Sequence, residues 1–238
     1  QVTSSVQQGM QQVDDGAERL EQEASTLHSA TNELTQVQAK LVEQIGRFTY
    51  YFDKNPQSGE WMSYDINKVK MVISDVDGVW TDGAIYKGKD GIELKRFCVT
   101  DGAGVALLRE AGLELALISG RHSEATAERA KELKIDNVYN GTLNKIPPYN
   151  ALKEKFNLTD DEIAYIGDDM IDIPVMELVG VPIATENASN ACKAVAVHIT
   201  EKSGGYGAFR EAVEWILTEQ GRLANIFDSL RKKVQNQK

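Results

Sequence analysis

Apolar side chains recur with two different periods along the chain, and the change falls near residue 60. Between residues 6 and 48, apolar or small side chains recur at alternating steps of four and three residues over several heptads. This seam consists of Val6, Met10, Val13, Ala17, Leu20, Ala24, Leu27, Thr31, Leu34, Gln38, Leu41, Ile45 and Phe48. Such a repeat is typical of a helix in a coiled coil or a helical hairpin. We therefore expect residues 1–52 to form a helical coiled-coil-like segment.

The composition changes directly after this segment. Residues 53–61, DKNPQSGEW, contain the Pro, Gly, Asn and Ser residues that are typical of a linker. The sequence that follows, MSYDINKVKMVISDVDG, resembles the start of an independent protein. We expect residues 62–238 to be a self-sufficient domain that carries residues 1–61 as an appendage.

From residue 70 onward, short apolar runs alternate with helical stretches. The apolar runs are KMVISD, LELALIS, DNVYN, EIAYIGD, GVPIA and AVHIT, and the last helical stretch is GAFREAVEWILTEQGR. This alternation predicts an α/β fold with a parallel sheet that is covered by helices on both faces. The segment DGAIYKGKDGIELKRFCVTDG interrupts the alternation, because two short strand patterns surround KGKDG. It predicts a β-hairpin beside the sheet.

Composition excludes several classes of function. The formal net charge of -10 disfavours binding to nucleic acid or to an anionic membrane. The two cysteines, Cys98 and Cys192, form no CxxC pair or zinc-type cluster, which fits a reducing compartment. The sequence contains no apolar run of about 18 residues and no signal-peptide pattern at its start. We expect a cytoplasmic protein with no nucleic-acid or membrane partner.

Chemically capable side chains follow three of the predicted strands and precede one helix. They are, in order, Asp75 and Asp77, Ser119 and Gly120, Lys145, and Asp168, Asp169 and Asp172. Because the carboxyl ends of parallel strands meet at one edge, we expect these residues to lie close together. Carboxylates so close would repel one another unless a cation neutralised them. Their oxygen atoms suit Mg²⁺.

Taken singly, each motif has a simpler explanation. A plain turn explains DVDG or Ser-Gly after a strand, and a lone lysine is usually solvated. An EF-hand calcium loop is excluded, because position 12 counted from Asp75 is Tyr86 and not the Glu that such a loop requires. The four motifs in this order, with three of them at strand ends, favour a catalytic site.

The order strand–DxD, strand–Ser, Lys, strand–GDDxxD resembles the haloacid dehalogenase-like phosphatase superfamily, over residues 70–218. The resemblance implies a Rossmann-like, three-layer parallel sheet and a Mg²⁺ cofactor. It implies that the Asp75 carboxylate, the Asp77 backbone carbonyl and Asp168 hold the ion, with Asp169 and Asp172 in support.

The same resemblance assigns roles in a phosphomonoester hydrolysis. Asp75 is implied to be the nucleophile that forms an aspartyl-phosphate. Asp77 is implied to protonate the leaving group and then to deprotonate water. Ser119 is implied to bind a phosphoryl oxygen, and Lys145 to offset negative charge.

The chain is too short around its motifs to include a cap domain. Its segments DVDGVWTDGAIYKGKDGIELKRFCVTDGAG, SGR, YIGDDMIDIPVME and KSGGYGAFREAVEWIL resemble the capless 3-deoxy-D-manno-octulosonate 8-phosphate phosphatase family. That family includes relatives acting on nonulosonate or N-acylneuraminate 9-phosphates. The resemblance implies a small-molecule sugar acid phosphate as substrate and a homo-tetramer formed through the hairpins. It also implies that a Gly-rich segment reaches a neighbour's site, here Gly204, Gly205, Gly207 and Arg210.

The resemblance also supplies candidate substrate contacts. They are Asp77, Thr100, Asp101, Gly102, Gly120, Arg121, Arg129, Lys145 and Arg210. Arg121 is the first candidate for binding the substrate carboxylate, since a guanidinium can bind a carboxylate through two hydrogen bonds. An ordinary ion pair is the alternative for each arginine. The segment VWTDG favours nine-carbon substrates, and the segment SGR favours octulosonate. The identity of the sugar acid therefore stays undecided at this point.

Other functions remain possible at this point. QVTSSVQQGMQQVDDGAERLEQEA and LVEQIGRF, within residues 1–52, resemble the C-terminal signalling helix of a bacterial chemoreceptor. A signalling or scaffold protein is therefore one alternative. A broad small-molecule phosphatase and a regulatory domain fused to a sugar-nucleotide synthetase are the others.

Overall fold

The computed structural model describes residues 64–236 and six earlier residues. The six are Gln22, Ser25, Thr26, Thr31, Asn32 and Thr35, all helical and exposed. The hydroxyls of Thr26 and Thr35 each donate to the carbonyl four residues earlier, at 2.9 and 2.8 Å. The chain divides into two units, Gln1–Ser58 and Gly59–Lys238. The rest of the predicted heptad segment and the linker at residues 53–61 lie outside the described residues.

A six-stranded parallel sheet forms the centre of the second unit, in the order β5-β4-β1-β6-β7-β8. Its strands are β1 (Met71–Ser74), β4 (Glu114–Ser119), β5 (Asn137–Asn140), β6 (Ile163–Gly167), β7 (Val181–Ala184) and β8 (His198–Ile199). A separate antiparallel pair, β2 (Tyr86–Lys87) and β3 (Glu93–Leu94), forms the predicted hairpin. None of the described helices is long and apolar enough to cross a membrane.

Helices connect the parallel strands, and two more follow the last strand. They are α1 (Val99–Ala111), α2 (Glu124–Glu132), α3 (Ile146–Phe156), α4 (Ile173–Met176), α5 (Asn190–Val195), α6 (Ala208–Glu219) and α7 (Leu223–Asn236). Short 3₁₀ turns lie at Ile66–Lys68, Lys89–Gly91 and Asp160–Glu162.

Alternate side chains of the central strand enter two separate cores. Met71 and Ile73 join the cluster that contains Tyr149 of α3. Val72 joins the cluster that contains Leu108 of α1 and residues of α6 and α7. Because successive side chains of a strand point to opposite faces, helices cover both faces of the sheet. This confirms the three-layer α/β prediction.

Helix α7 was missing from the sequence interpretation, which took the preceding helix as the last one. Gly221 adopts a left-handed φ of +66°, which turns the chain, and Leu223 starts a new helix. Of the residues in α7, only Ile226 is buried. Ser229 and Lys233 bond Glu110 of α1. The apolar pattern of this helix in the sequence is weak because so little of the helix is buried.

The hairpin matches the sequence prediction. Between β1 and β4, the structure contains only the hairpin and α1, and between residue 145 and β6 only α3 and a 3₁₀ turn. No cap domain therefore occurs within residues 64–236. The hairpin's apolar side chains are solvent-exposed in the single chain, namely Ile85, Tyr86, Ile92 and Leu94.

Candidate active site

The carboxyl ends of three neighbouring strands bring predicted site residues together. Asp75 follows β1, Ser119 is the last residue of β4, and Asp168 follows β6. Because β4, β1 and β6 are adjacent in the sheet, these side chains lie at one edge. Lys145 immediately precedes α3 and completes the group.

Lys145 is buried between two carboxylates. Its Nζ lies 2.9 Å from Asp75 Oδ1 and 2.6 Å from Asp172 Oδ1, and its side chain has no solvent exposure. Burial acts to lower the pKa of Lys145, but the charges of Asp75 and Asp172 outweigh it and the pKa is raised. Lys145 is therefore a fixed positive charge beside Asp75.

Asp172 organises this edge through four hydrogen bonds. Its Oδ1 accepts from Lys145 Nζ and from Tyr165 OH, each at 2.6 Å. Its Oδ2 accepts from the backbone N–H groups of Asp168, at 3.0 Å, and Asp169, at 3.1 Å. These donors use most of the acceptor capacity of the carboxylate. Asp172 therefore holds the lysine and the loop after β6 in place, and it has little capacity left to ligate a metal.

Asp168 offers an oxygen that lacks a protein partner. One carboxylate oxygen each from Asp75, Asp168 and Asp172 lie within 4.8 Å of one another. Oδ1 of Asp168 is buried and accepts no hydrogen bond from any residue that the structure describes. A buried carboxylate oxygen without a donor is costly unless a cation binds it.

Electrostatic repulsion within this cluster points to the same conclusion. Burial, followed by the charge of Asp172, raises the pKa of Asp75. Burial, followed by the charge of Asp75, raises the pKa of Asp168. Lys145 opposes both increases without cancelling them. A divalent cation would relieve the repulsion, and carboxylate oxygens suit a hard ion such as Mg²⁺. The residues therefore fit the predicted metal site.

Gly78 keeps this position open. Its φ of +85° is left-handed, and a Cβ on it would lie 1.9 Å from Asp168 Oδ2. Only glycine allows the backbone to pass so close to the carboxylate. The Gly78 carbonyl accepts a hydrogen bond from Asn187 Nδ2 at 3.0 Å. Sequence reasoning missed Asn187, because an asparagine in a polar loop carries no distinctive signal.

Asp77 is bound by a lysine that sequence reasoning also missed. Lys95 Nζ lies 2.7 Å from Asp77 Oδ1 and 2.9 Å from Oδ2. The Lys95 side chain has no solvent exposure, whereas that of Asp77 is 26% exposed. Lys95 directly follows β3. The alternation of polar and apolar residues in IELKRF was the available signal, since it places Glu93 and Lys95 on one side of the strand.

The loop after β4 packs against the loop after β6. Ser119 is buried, and its Oγ donates to the Arg121 carbonyl at 3.0 Å. A Cβ on Gly120 would lie 2.7 Å from Ile171 Cδ1. Asp169 is exposed and accepts a hydrogen bond from the N–H of Met170. The structure thus places Ser119 at the site edge, and its role in phosphate binding stays a prediction.

The three arginines predicted to bind substrate are each paired with a glutamate of the same chain. The pairs are Arg121–Glu93 at 2.8 Å, Arg129–Glu132 at 2.7 Å and Arg210–Glu214 at 2.7 Å. Arg121 makes a second hydrogen bond to Glu93, so both terminal nitrogens of its guanidinium group are engaged. Hydrogen bonds from Arg121 and Lys87 lower the pKa of Glu93 to about 2. Arg121 can therefore bind a substrate carboxylate only if Glu93 releases it.

The predicted substrate contacts Thr100, Asp101 and Gly102 lie at the start of α1. Asp101 is fully buried in α1, and its Oδ1 accepts from the N–H of Arg210 in α6 at 3.0 Å. Burial raises the pKa of Asp101 to about 6. Thr100 is exposed and lies 3.0 Å from Cys98 Sγ, and Gly102 follows in the same helix. Asp101 thus links α1 to α6, and the substrate contacts of Thr100, Asp101 and Gly102 stay predictions.

The Gly-rich segment packs on the chain's own site loop. A Cβ on Gly204 would lie 1.9 Å from the Gly78 carbonyl oxygen, and one on Gly205 would lie 2.5 Å from Asp82 N. The Gly204 N–H also donates to Asn187 Oδ1 at 2.5 Å. This contact lies within one chain, whereas the resemblance implied a reach into a neighbouring subunit.

Comparisons with known proteins agree with this geometry. Residues 122–207 match the family model of the haloacid dehalogenase-like hydrolases. The chain is 39% identical over 168 residues to 3-deoxy-D-manno-octulosonate 8-phosphate phosphatase of Escherichia coli. That match covers 71% of this chain and 89% of the relative.

Solved structures give the same result. The crystal structure of 3-deoxy-D-manno-octulosonate 8-phosphate phosphatase from Yersinia pestis is similar with a TM-score of 0.65 and 38% identity, over 67% of this chain and 86% of that one. The enzyme of the same name from Moraxella catarrhalis, solved with magnesium, phosphate and a KDO molecule, gives a TM-score of 0.67 and 36% identity. That match covers 69% of this chain and 95% of the other.

Replacing Gly78 by alanine should weaken metal binding. The added Cβ would occupy the position of Asp168 Oδ2, 1.9 Å away. We expect Gly78→Ala to lower Mg²⁺ affinity by at least about tenfold in isothermal titration calorimetry, with a matching loss of phosphate release.

Gly83→Ala is the matched control for backbone strain. Gly83 has a similar φ of +76°, but a Cβ there would meet nothing within 4 Å. Both variants should lose about 1–2 kcal/mol of unfolding free energy from the left-handed backbone. Equal Mg²⁺ affinities in the two variants would show that Gly78 does not shape the site.

Proposed function

The chain belongs to the 3-deoxy-D-manno-octulosonate 8-phosphate phosphatase family of haloacid dehalogenase-like hydrolases, and we propose that it removes the terminal phosphate of a 3-deoxy-2-keto sugar acid phosphate. The observation that carries this proposal is the buried Asp75–Lys145–Asp172 array beside Asp168. Relatives with the named activity cover most of the second unit. The enzyme is a phosphoric monoester hydrolase.

Asp75 is the proposed nucleophile. An Asp75 carboxylate oxygen attacks phosphorus, so that an O–P bond forms as the bond from phosphorus to the sugar oxygen breaks. Asp77 gives a proton to that leaving oxygen. In the second step, Asp77 takes a proton from water as the water oxygen attacks phosphorus. The O–P bond to Asp75 then breaks, which releases inorganic phosphate and restores the carboxylate.

Lys145 keeps Asp75 in its reactive form. Its ammonium group is 2.9 Å from the nucleophile's Oδ1, and Asp172 fixes it from the other side. This charge favours the ionised carboxylate and opposes the negative charge that gathers on the phosphoryl group. Ser119 and the backbone of Gly120 are proposed to donate to the phosphoryl oxygens, since both lie at the same edge.

Mg²⁺ is the cofactor, and Asp75 and Asp168 are the side chains proposed to hold it, with the Asp77 carbonyl. When bound, it supplies positive charge that offsets the phosphate and orients it toward the nucleophile. The unpartnered Oδ1 of Asp168 and the close approach of Gly78 to the Asp168 carboxylate support this assignment. Asp172 acts from outside the ligand set by holding the Asp168 backbone.

The acid end of the substrate is proposed to bind near Arg121. The guanidinium already binds one carboxylate, that of Glu93, through two hydrogen bonds. A substrate carboxylate of the same geometry can take over those bonds. The names of the relatives favour 3-deoxy-D-manno-octulosonate 8-phosphate, and nonulosonate or N-acylneuraminate 9-phosphates are the second candidates.

A substrate panel tests the proposed specificity. Initial rates should be measured with 3-deoxy-D-manno-octulosonate 8-phosphate, N-acetylneuraminate 9-phosphate and, as a control without a carboxylate, glucose 6-phosphate. We expect kcat/KM for at least one sugar acid phosphate to exceed that of the control by at least about 100-fold, because a site built for a polar group discriminates strongly against ligands that lack it. Equal values across the panel would instead support a broad small-molecule phosphatase.

Asp75→Asn should abolish turnover and preserve the fold. The amide is isosteric but does not form an aspartyl-phosphate, so we expect kcat to fall by on the order of 10³-fold or more. Phosphate release and circular dichroism measure the two effects. Asp136→Asn, an exposed position just before β5 and away from the site edge, is the matched control and should keep wild-type kcat. Substantial turnover by Asp75→Asn would remove Asp75 from its role.

We further propose that residues 62–238 are the catalytic unit and that they assemble into a homo-tetramer through the hairpins. The exposed side chains of Ile85, Tyr86, Ile92 and Leu94 support this, because a hairpin rarely presents so many apolar groups to water. We expect residues 62–238 alone to sediment as a tetramer and to release phosphate. A fully active monomer would contradict the tetramer, and an unfolded product would contradict the domain boundary.

A further inference from the structure

The pair formed by Lys95 and Asp77 joins the hairpin to the centre of the site. Lys95 Nζ contacts both carboxylate oxygens of Asp77, at 2.7 and 2.9 Å. The ammonium group also donates to Thr126 Oγ1 of α2, at 3.2 Å. Thr126 is itself buried. The lysine is therefore fixed at three points.

Full burial makes this lysine unusual. Lysine side chains are rarely shielded from water, because desolvating an ammonium group is costly unless it is paired. The solvent-exposed fraction of the Lys95 side chain is zero, whereas 26% of the Asp77 side chain is exposed. The ammonium group is thus shielded from solvent, whereas part of the Asp77 side chain is accessible.

A second ion pair holds the same strand to the site. Glu93 lies two residues before Lys95, and it binds Arg121 after β4 through two hydrogen bonds. Residues two apart on a strand share one side. One side of the hairpin therefore contacts the loop after β1 and the loop after β4.

We propose that Lys95 is a positioning residue that fixes the Asp77 carboxylate for proton transfer to the leaving oxygen. This inference deepens the proposed function and rests on the acid–base role of Asp77. An aspartate has three staggered χ1 rotamers, and proton transfer requires a heavy-atom distance of about 2.6–3.2 Å. An ammonium group that binds both oxygens selects one rotamer. The carboxylate that carries the proton during turnover is then held in one orientation before the substrate arrives.

The dependence of rate on the leaving group tests this proposal. Lys95→Met keeps an unbranched apolar stem and removes the ammonium group. The full-length variant should be assayed with phosphate monoesters that range from 4-nitrophenyl phosphate to simple alkyl phosphates. The first product to leave is the alcohol, and kcat/KM includes no step after its release. This ratio therefore reports the step in which the leaving oxygen is protonated and not the later hydrolysis of the phosphorylated Asp75.

We expect the loss to grow with the basicity of the leaving group. For alkyl phosphates, kcat/KM should fall by about 10- to 100-fold, within the range of general acid catalysis. For 4-nitrophenyl phosphate, whose leaving group needs no proton, it should fall by less than about threefold. Lys89→Met, at an exposed lysine of the same hairpin, is the matched control and should leave both values unchanged.

A double-mutant cycle provides an independent readout. If Lys95 acts through Asp77, adding Lys95→Met to Asp77→Asn should lower kcat/KM for alkyl phosphates no further. Fully additive losses, or an equal loss across all leaving groups, would overturn the proposal. Should Lys95→Met fail to fold, Thr126→Val removes one of the three contacts. It should then give a smaller change in the same direction, and an unchanged leaving-group dependence would overturn the proposal.

The experiment separates this inference from the proposed substrate. Simple phosphate monoesters report the acid–base step whether or not a sugar acid phosphate is preferred. A flat substrate panel combined with the expected leaving-group dependence would remove the proposed substrate and support the role of Lys95. Failure of the wild-type enzyme to hydrolyse any phosphate monoester would overturn the proposed function and this inference together.

Discussion

Repulsion among buried carboxylates is the constraint on which the active edge depends. Asp75, Asp168 and Asp172 lie within reach of one ion, and Lys145 is the ammonium group that lies between two of them. A single lysine does not balance three carboxylates in a medium of low dielectric constant. The protein therefore folds with a local excess of negative charge. A cation that binds there would contribute to stability and reduce the repulsion on Asp75, the proposed nucleophile, through the same contacts.

The hairpin has two different sides because its second strand alternates. Ile92 and Leu94 are exposed, whereas Glu93 and Lys95 turn toward the site loops and bind Arg121 and Asp77. A strand of this length has too little hydrogen bonding to hold itself in place. The two ion pairs supply that attachment. A hairpin of a few residues can thus contribute to the site in a protein that lacks a cap within residues 64–236.

Sequence reasoning succeeded for the sheet and for the candidate site residues that lie at strand ends. The sheet, the hairpin and the grouping of Asp75, Ser119, Lys145 and Asp168 all followed from continuous apolar runs that stop at polar residues. It failed for contacts between distant segments, because a lysine or asparagine in a polar stretch is usually solvated. Lys95 and Asn187 belong to this class, and so do the glutamates that occupy the three arginines. Helix α7 was missed for a different reason, since only Ile226 of that helix is buried.

The packing of the Gly-rich segment has a consequence for synthesis on the ribosome. The loop that carries the proposed nucleophile is made early, but the amide of Asn187 that binds the Gly78 carbonyl lies 109 positions later. Gly204, which covers the same carbonyl, is made later still. A nascent chain that ends before these residues contains Asp75 and Asp77 without the backbone that packs on their loop. Synthesis of the segment around Gly204, and not of the proposed nucleophile alone, therefore marks the point at which this packing can form.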